Sequence, residues 1–249
     1  MIILKLFLIT WLVTASVMGL AFLWYRSNKN PSIVDMFWPL GILISVWLHT
    51  YLGGTNGIAV LFLALLFTWA IRLSVYLYLT RIRSGKTHDV KRGYLIQFQF
   101  QAFLQALLAT SISGICYATL TSSFHSVGWF ILGIFVTIFG IALETLADTQ
   151  IYKFKRNSAH YGHVCKVGLW RFSRHPNLFF EWIVWIGFAL MNTAGIWNGW
   201  ALLAPVIVYI TIRVVIIPLS EEVSLESRGD QYHEYQESTS MFFPTLPKE

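Results

Sequence analysis

Residues 57–79 read GIAVLFLALLFTWAIRLSVYLYL, and Arg72 is the single charged residue among them. An apolar run of this length can cross a bilayer as one α-helix, because about 20 residues match the ~30 Å hydrocarbon core. Six further runs of this kind flank it. The predicted spans are Ile3–Tyr25, Ile33–Leu52, Gly57–Leu79, Ala102–Leu120, Val127–Ala147, Leu178–Thr193 and Ile196–Leu219. We therefore expect an all-α integral membrane protein with about seven transmembrane helices.

The composition agrees with a membrane protein and excludes a separate soluble domain of ordinary size. Of the 249 residues, 56% are hydrophobic and 12% are charged, about half the ~25% charged fraction of soluble proteins. We expect one membrane domain over residues 1–249. Its net charge of +6 comes from residues beside the spans, so we attribute it to membrane orientation and expect no nucleic-acid partner. No Cys-x-x-Cys spacing occurs, and no metal site is predicted.

The basic residues also predict which way the chain faces. Fifteen of the eighteen Lys and Arg lie in alternate connections or in the C-terminal tail, while the connections 53–56, 121–126 and 192–195 carry no charge. By the positive-inside rule the N-terminus is outside and the C-terminus is cytoplasmic. We expect His49 and His125, near the uncharged ends, to lie at the membrane interface. Residues Ser220–Glu237 are polar and predict a surface helix.

The first candidate site closes the fifth span. Glu144, Asp148 and Tyr152 are four residues apart and share one stripe of a helix. Ionisable side chains in a span cost at least about 2.5 kcal/mol, so they indicate function by default. One interpretation is a stripe that faces a ligand, with cations supplied by the following basic loop. The other is a helix end paired with its own Lys153 and Lys155.

The second candidate site is GLWRFSRHPN, residues 168–177, followed by Glu181. Pro176 suits the first turn of a helix, where a missing N–H costs nothing. The free N–H groups of that turn would face the same side as Arg171, Arg174 and His175, a combination typical of phosphate sites. Asn177 and Glu181 would project from one face into the bundle. The alternative is that both arginines contact lipid headgroups, which leaves a buried Glu181 unexplained.

These motifs together resemble a bacterial membrane protein family of unknown function that is related to the steroid 5-alpha-reductases. The resemblance rests on the run from Gly168 to Glu181, on Glu144-x-x-x-Asp148-x-Gln150 with Phe154-Lys155, and on the ending from Tyr232 to Pro244. Ser32-Ile-Val-Asp35-x-x-Trp38 and Arg72-Leu also fit. The match therefore covers most of the chain, and it favours a bacterial inner membrane as the location.

The resemblance implies a seven-helix reductase that binds NADPH in the half from about 140 to 249. A lipophilic substrate would enter from the membrane into the half from about 1 to 139. Asp148, Lys155, Asn177 and Glu181 match cofactor-contacting positions, and we add to this set the residues that the local chemistry indicates: Glu144, Tyr152, Arg171, Arg174 and His175. The steroid reductases carry a Gln-Glu pair that engages the substrate carbonyl. This chain lacks the pair, Asp35 is the nearest acid, and Trp69 takes the position of their substrate tyrosine. We therefore predict catalytic roles for Asp35 and Trp69.

Two other classes remain open at this point. Isoprenylcysteine carboxyl methyltransferases, which use S-adenosylmethionine, also carry an Arg-His-Pro motif and paired late glutamates, here Glu221-Glu222. A lipid-binding protein or transporter is the third class. The ionisable residues concentrate on the predicted cytoplasmic side, whereas a transport path would need them through both halves of the membrane.

Overall fold

The computed structural model describes residues 2–28, 30, 32–53, 57–83, 126–192 and 199–247, and within these ranges the chain is helical, without strands. The helices are α1 (Ile2–Asn28), α2 (Ser32–Gly53), α3 (Gly57–Leu77), α4 (Val127–Arg156), α5 (Pro176–Asn192), α6 (Leu203–Thr211), α7 (Ile217–Arg228) and α8 (Asp230–Ser238). A π-helical turn, Tyr78–Ile82, extends α3, and another, Ile212–Ile216, joins α6 to α7.

Four helical runs among the described residues are long and apolar enough to cross a membrane. They are Leu8–Ser27, Val60–Ile82, Val127–Arg156 and Leu203–Arg228, and the apolar helix Pro176–Met191 is shorter. These helices fit a multi-pass integral membrane protein whose apolar outer faces contact lipid. The predicted fourth span, Ala102–Leu120, lies outside the described residues. The total of seven spans and the sides of the two termini stay predictions.

The described helices form two compact units, of which the first contains α1, α2 and α3. Polar side chains join α1 to α2: Thr10 Oγ1 lies 3.2 Å from His49 Nε2, and the hydroxyls of Thr14 and Ser45 are in contact. His49 is buried, and its predicted depth at the membrane interface stays a prediction. The imidazole lies against the Thr10 hydroxyl of the neighbouring helix, so a polar group of the protein contacts the ring. His125 lies outside the described residues.

The second unit contains α4 to α8, and its first two helices pack with their backbones in contact. A Cβ placed on Gly133 would lie 2.6 Å from Met191 N, and one on Gly140 would lie 2.9 Å from Val184 N. A Cβ on Gly187 would lie 2.6 Å from Thr137 N. Only small residues allow such an approach between membrane helices. Because Gly133 faces the end of α5 and Gly140 its middle, the two helices run antiparallel.

The C-terminal part of the second unit continues the last span and then turns back. The predicted surface helix Ser220–Glu237 is two helices, α7 and α8, separated at Gly229, whose φ is +50°. Glycine takes such a positive φ without the steric cost of a side chain. Beyond α8, Phe242 is buried against Phe179, Trp182 and Tyr209. The tail is thereby fixed onto α5 and α6.

Candidate functional site

The connection between α4 and α5 is fixed to the last turns of α4. Leu169 N donates a hydrogen bond of 2.9 Å to Gln150 Oε1, and Trp170 Nε1 donates one of 2.9 Å to Ala147 O. Gly168 has φ +58°, and a Cβ there would overlap the Gln150 side chain. The turn Gly168–Arg171 therefore needs its glycine and lies directly beside the helix turn that carries Asp148.

The antiparallel register brings the two predicted motifs to the same end of the helix pair. Gly140 faces Phe180 and Val184, and each step forward along α4 corresponds to a step backward along α5. Glu144, four residues after Gly140, thus falls level with the first turns of α5. Asp148, one further turn along, falls level with the Arg-His-Pro segment that precedes the helix. The stripe and the Arg-His-Pro-Asn motif are neighbours in space.

Three carboxylates of α4 and α5 are buried at this end of the unit. Glu144 and Asp148 are 2% and 3% exposed on the face of α4 that packs on α5, and Glu181 on α5 is 8% exposed. Burial of carboxylates costs several kcal/mol unless hydrogen bonds or opposite charges offset it. A sequence that retains three of them in one place is typical of a binding site for polar groups.

Arg174 is buried, and its guanidinium donates hydrogen bonds to acceptors within the protein. Its Nε lies 2.7 Å from Glu221 Oε1, and its Nη2 lies 3.3 Å from Glu221 Oε2. Its Nη1 donates bonds of 2.8 Å to the carbonyls of Gln236 and Thr239. The arginine thus joins the start of α5 to α7 and to the end of α8.

Glu221 is the centre of this buried cluster. His175 Nε2 lies 3.1 Å from its Oε1, and Gln236 Nε2 donates a bond of 2.8 Å to its Oε2. Removal of one partner from a buried ion pair costs about 3–5 kcal/mol, because the other charge is left uncompensated. From the sequence, Glu221 stood out only as part of an acidic pair that follows a span. Nothing in its spacing identifies Arg174, 47 residues earlier, as its partner.

The tail closes over the same segment through main-chain hydrogen bonds. Arg174 N donates to Ser240 O at 2.8 Å, and Thr245 N donates to Phe172 O at 2.9 Å. Ser173 Oγ donates to Phe242 O at 2.9 Å, and the Tyr235 hydroxyl donates to the carbonyls of Trp170 and Ser173. Burial raises the pKa of Tyr235, so the phenol keeps the proton that these bonds require.

The other predicted cofactor residues lie around this buried core. Arg171 is exposed and makes no ion pair within the described part of the chain, and Lys155 is exposed as well. Tyr152 accepts a hydrogen bond of 3.0 Å from Arg156 Nη1, and Asn177 is half-buried at the start of α5. Arg171 is therefore the arginine of the motif that a ligand can reach.

Asp35 and Trp69, the predicted catalytic residues, both belong to the first unit. Asp35 Oδ2 lies 2.8 Å from Arg81 Nη1 in a partly exposed ion pair. Trp69 is fully buried and meets the edge of Trp38, with ring centroids 6.2 Å apart. Asp35 and Trp38 are one helical turn apart, so both predicted residues lie in one region of this unit. Their catalytic roles stay predictions.

One sequence family matches nearly the whole chain, from residue 21 to residue 239, under the description "Protein of unknown function (DUF1295)". The chain belongs to the DUF1295 family. The match includes Asp35, Glu144, the Arg-His-Pro-Asn motif and Glu221. No curated protein matches the chain.

In this DUF1295 chain, the second unit contains both buried carboxylates and groups that bind anions. The buried carboxylates accept hydrogen bonds, whereas Arg171 and the start of α5 favour anions. The described residues contain no group of three His, Cys, Asp or Glu side chains that could hold a metal ion. The arrangement suits a ligand that carries hydroxyl or amide groups at one end and phosphate at the other.

Proposed function

We propose that the chain is a membrane-embedded, NADPH-dependent reductase of an α,β-unsaturated carbonyl in a lipophilic substrate, such as a steroid-like, isoprenoid or fatty-acyl compound. One observation carries the proposal: one end of the α4–α5 pair has three buried carboxylates on its helices and an exposed arginine in the connection between them. A dinucleotide needs both kinds of group, because its hydroxyls and carboxamide donate hydrogen bonds while its phosphates require cations.

The phosphates of NADPH would be held by Arg171, by the first N–H groups of α5 and by Lys155. A helix N-terminus binds phosphate through its unpaired N–H groups and its dipole. We leave Arg174 out of this set, because its guanidinium donates to Glu221 and to two carbonyls. Arg171 can offer the bidentate bonds that arginine makes to phosphate.

The polar groups of the cofactor would face Glu144, Asp148 and Glu181. When bound, the nicotinamide supplies a hydride, so the protein has to bind, orient and exclude water rather than provide a nucleophile. In this proposal Asp35 polarises the substrate carbonyl and Trp69 shapes the substrate pocket. The Asp35 carboxylate is held by Arg81, so it would have to leave this partner and take up a proton before it could donate a hydrogen bond to the carbonyl oxygen. An Asp35→Asn enzyme with unchanged turnover would contradict the role.

A second candidate is an S-adenosylmethionine-dependent membrane methyltransferase. The observation that favours it is the contact of Glu221 with Arg174 and His175. It brings together the Arg-His-Pro motif and the late glutamates that isoprenylcysteine carboxyl methyltransferases share. S-adenosylmethionine carries no phosphate, however, and its single carboxylate needs fewer cations than the phosphates of a dinucleotide.

Cofactor binding separates the two candidates. We would titrate the purified protein in nanodiscs with NADPH, NADH and S-adenosylmethionine, and repeat the titration with Arg171→Ala and Asp148→Asn. The matched control is Arg228→Ala, which removes an arginine at the end of α7. A charge-assisted hydrogen bond contributes about 1.5–3 kcal/mol, so Arg171→Ala should weaken NADPH binding by on the order of tenfold or more.

Selective binding of NADPH that is weakened in Arg171→Ala and Asp148→Asn and kept in Arg228→Ala would support the reductase and justify assays with enones. Binding of S-adenosylmethionine alone would replace the reductase by the methyltransferase. If the wild-type protein binds none of the three, a lipid-binding or transport role is the remaining class.

A further inference from the structure

The start of α5 is held by contacts with several segments that are distant in the sequence. Arg174 and His175, the two residues before the helix, both contact the Glu221 carboxylate from α7. Gln236 from α8 occupies the remaining side of Glu221, and the Arg174 guanidinium also binds two carbonyls near the end of α8. One carboxylate therefore connects three segments of the second unit.

We infer that Glu221 is a positioning residue, which holds Arg174 and His175 so that Arg171 and the start of α5 face the ligand. The inference deepens the proposed function and rests on it for the identity of the ligand, a phosphate-bearing dinucleotide. Arg174 is then a structural cation and not a phosphate contact.

Electrostatics explains why this position depends on the carboxylate. Arg174 is 6% exposed and Glu221 is 8% exposed, so each charge lies in a medium of low dielectric constant. Without Glu221, the guanidinium would be buried without a counter-charge, which costs several kcal/mol. The segment 172–175 would relieve this cost by moving toward water. Its hydrogen bonds to Ser240, Phe242 and Thr245 would then open, and Arg171 would move with it.

The substitution Glu221→Gln tests the inference, because it removes the charge and preserves the shape. We expect NADPH affinity to fall by on the order of tenfold, which corresponds to the loss of one charge-assisted hydrogen bond. The matched control is Glu222→Gln, an identical change at the exposed neighbouring residue, which should leave the affinity unchanged. Glu221→Asp, which keeps the charge on a shorter side chain, should restore part of the loss.

The direction of the change distinguishes positioning from direct contact. If Arg174 were itself a phosphate ligand, removal of its competing carboxylate would raise the affinity for NADPH. An increase, or no change, in Glu221→Gln would therefore overturn the inference. The titrations would be made well below the unfolding temperature of each variant, so that global unfolding does not contribute.

Hydrogen exchange gives a second measurement that needs no ligand. The main-chain amides of Arg174 and Thr245 donate hydrogen bonds to the carbonyls of Ser240 and Phe172. These two amides should exchange faster in Glu221→Gln and at the wild-type rate in Glu222→Gln. Unchanged exchange in Glu221→Gln would overturn the positioning role. A wild-type protein that binds no NADPH would instead count against the proposed function, and the exchange measurement would still decide the role of Glu221.

Discussion

At the level of single residues, the close contact between α4 and α5 requires that Gly140 has no Cβ. A methyl group there would lie 2.8 Å from Val184 Cγ2 and 2.9 Å from Val184 N. Because one of these atoms is backbone, relief requires the helices to separate. We expect Gly140→Ala to lower the free energy of unfolding by about 1–3 kcal/mol, as measured by thermal unfolding in detergent.

The matched control is Gly19→Ala in α1, where an added Cβ meets nothing within 4 Å. In open space, alanine stabilises a helix relative to glycine by up to about 1 kcal/mol. The two variants should therefore shift the unfolding temperature in opposite directions. Equal stability of both would contradict the close packing of α4 on α5.

The buried phenol of Tyr232 should make the stability of the protein depend on pH in the alkaline range. Burial, and next the negative charge of Glu221, raise the pKa of Tyr232 to about 12. The folded state thus favours the neutral phenol, and its contribution to stability is complete below pH 10, the usual pKa of tyrosine. The contribution is lost as the pH rises from 10 to 12.

We expect wild-type stability, followed by denaturant titration, to decline with pH across this range more steeply than that of Tyr232→Phe. Tyr161→Phe, at a residue that is 93% exposed, should leave the pH dependence unchanged. Parallel curves for wild type and Tyr232→Phe would show that the phenol does not titrate as predicted.

At the scale of elements, the tail is fixed by one of two adjacent phenylalanines. Phe242 is 2% exposed, whereas Phe243 is 49% exposed, although both contact Phe179 and Trp182. Phe242→Ala should destabilise the protein by about 3–5 kcal/mol, because it opens a cavity in a buried aromatic cluster. Phe243→Ala should cost less than half as much. Chemical unfolding of both variants measures the difference, and equal losses would contradict the burial.

Patterns within one helix were predictable from the sequence, and contacts between distant segments were not. The i, i+4 spacing of Glu144 and Asp148 correctly placed both on one face, and Pro176 correctly began α5. The sequence assigned Arg174 to a ligand because positive charge next to a helix start suits phosphate. Its observed partner Glu221 lies in another helix, and no periodicity relates them. The contact between His49 and Thr10 was not predictable for the same reason, since the two residues are 39 positions apart.

At the scale of the whole molecule, the charged connections predict a cytoplasmic C-terminal side, which thiol labelling can measure. Tyr161→Cys introduces a thiol at a residue that is 93% exposed in the connection between α4 and α5. In a chain with Cys116 replaced by alanine, a membrane-impermeant maleimide should label it in inside-out vesicles and not in right-side-out vesicles.

The remaining native thiol should contribute little background to this experiment. Cys165 is buried, and burial raises its pKa, so little thiolate is present near neutral pH. Thr55→Cys, in an uncharged connection, is the control and should show the opposite pattern. Labelling of Tyr161→Cys in right-side-out vesicles would reverse the predicted topology.

The contact between Arg174 and the C-terminal segments also determines when, during synthesis, Arg174 can become buried. The ribosome synthesises Arg174 long before Glu221, Gln236 and Thr239, the residues that surround its guanidinium. During translation this arginine has none of these partners, and it can leave water only after α8 has emerged. A nascent chain arrested before residue 221 would therefore keep this arginine in contact with water, without the counter-charge that allows its burial in the finished protein.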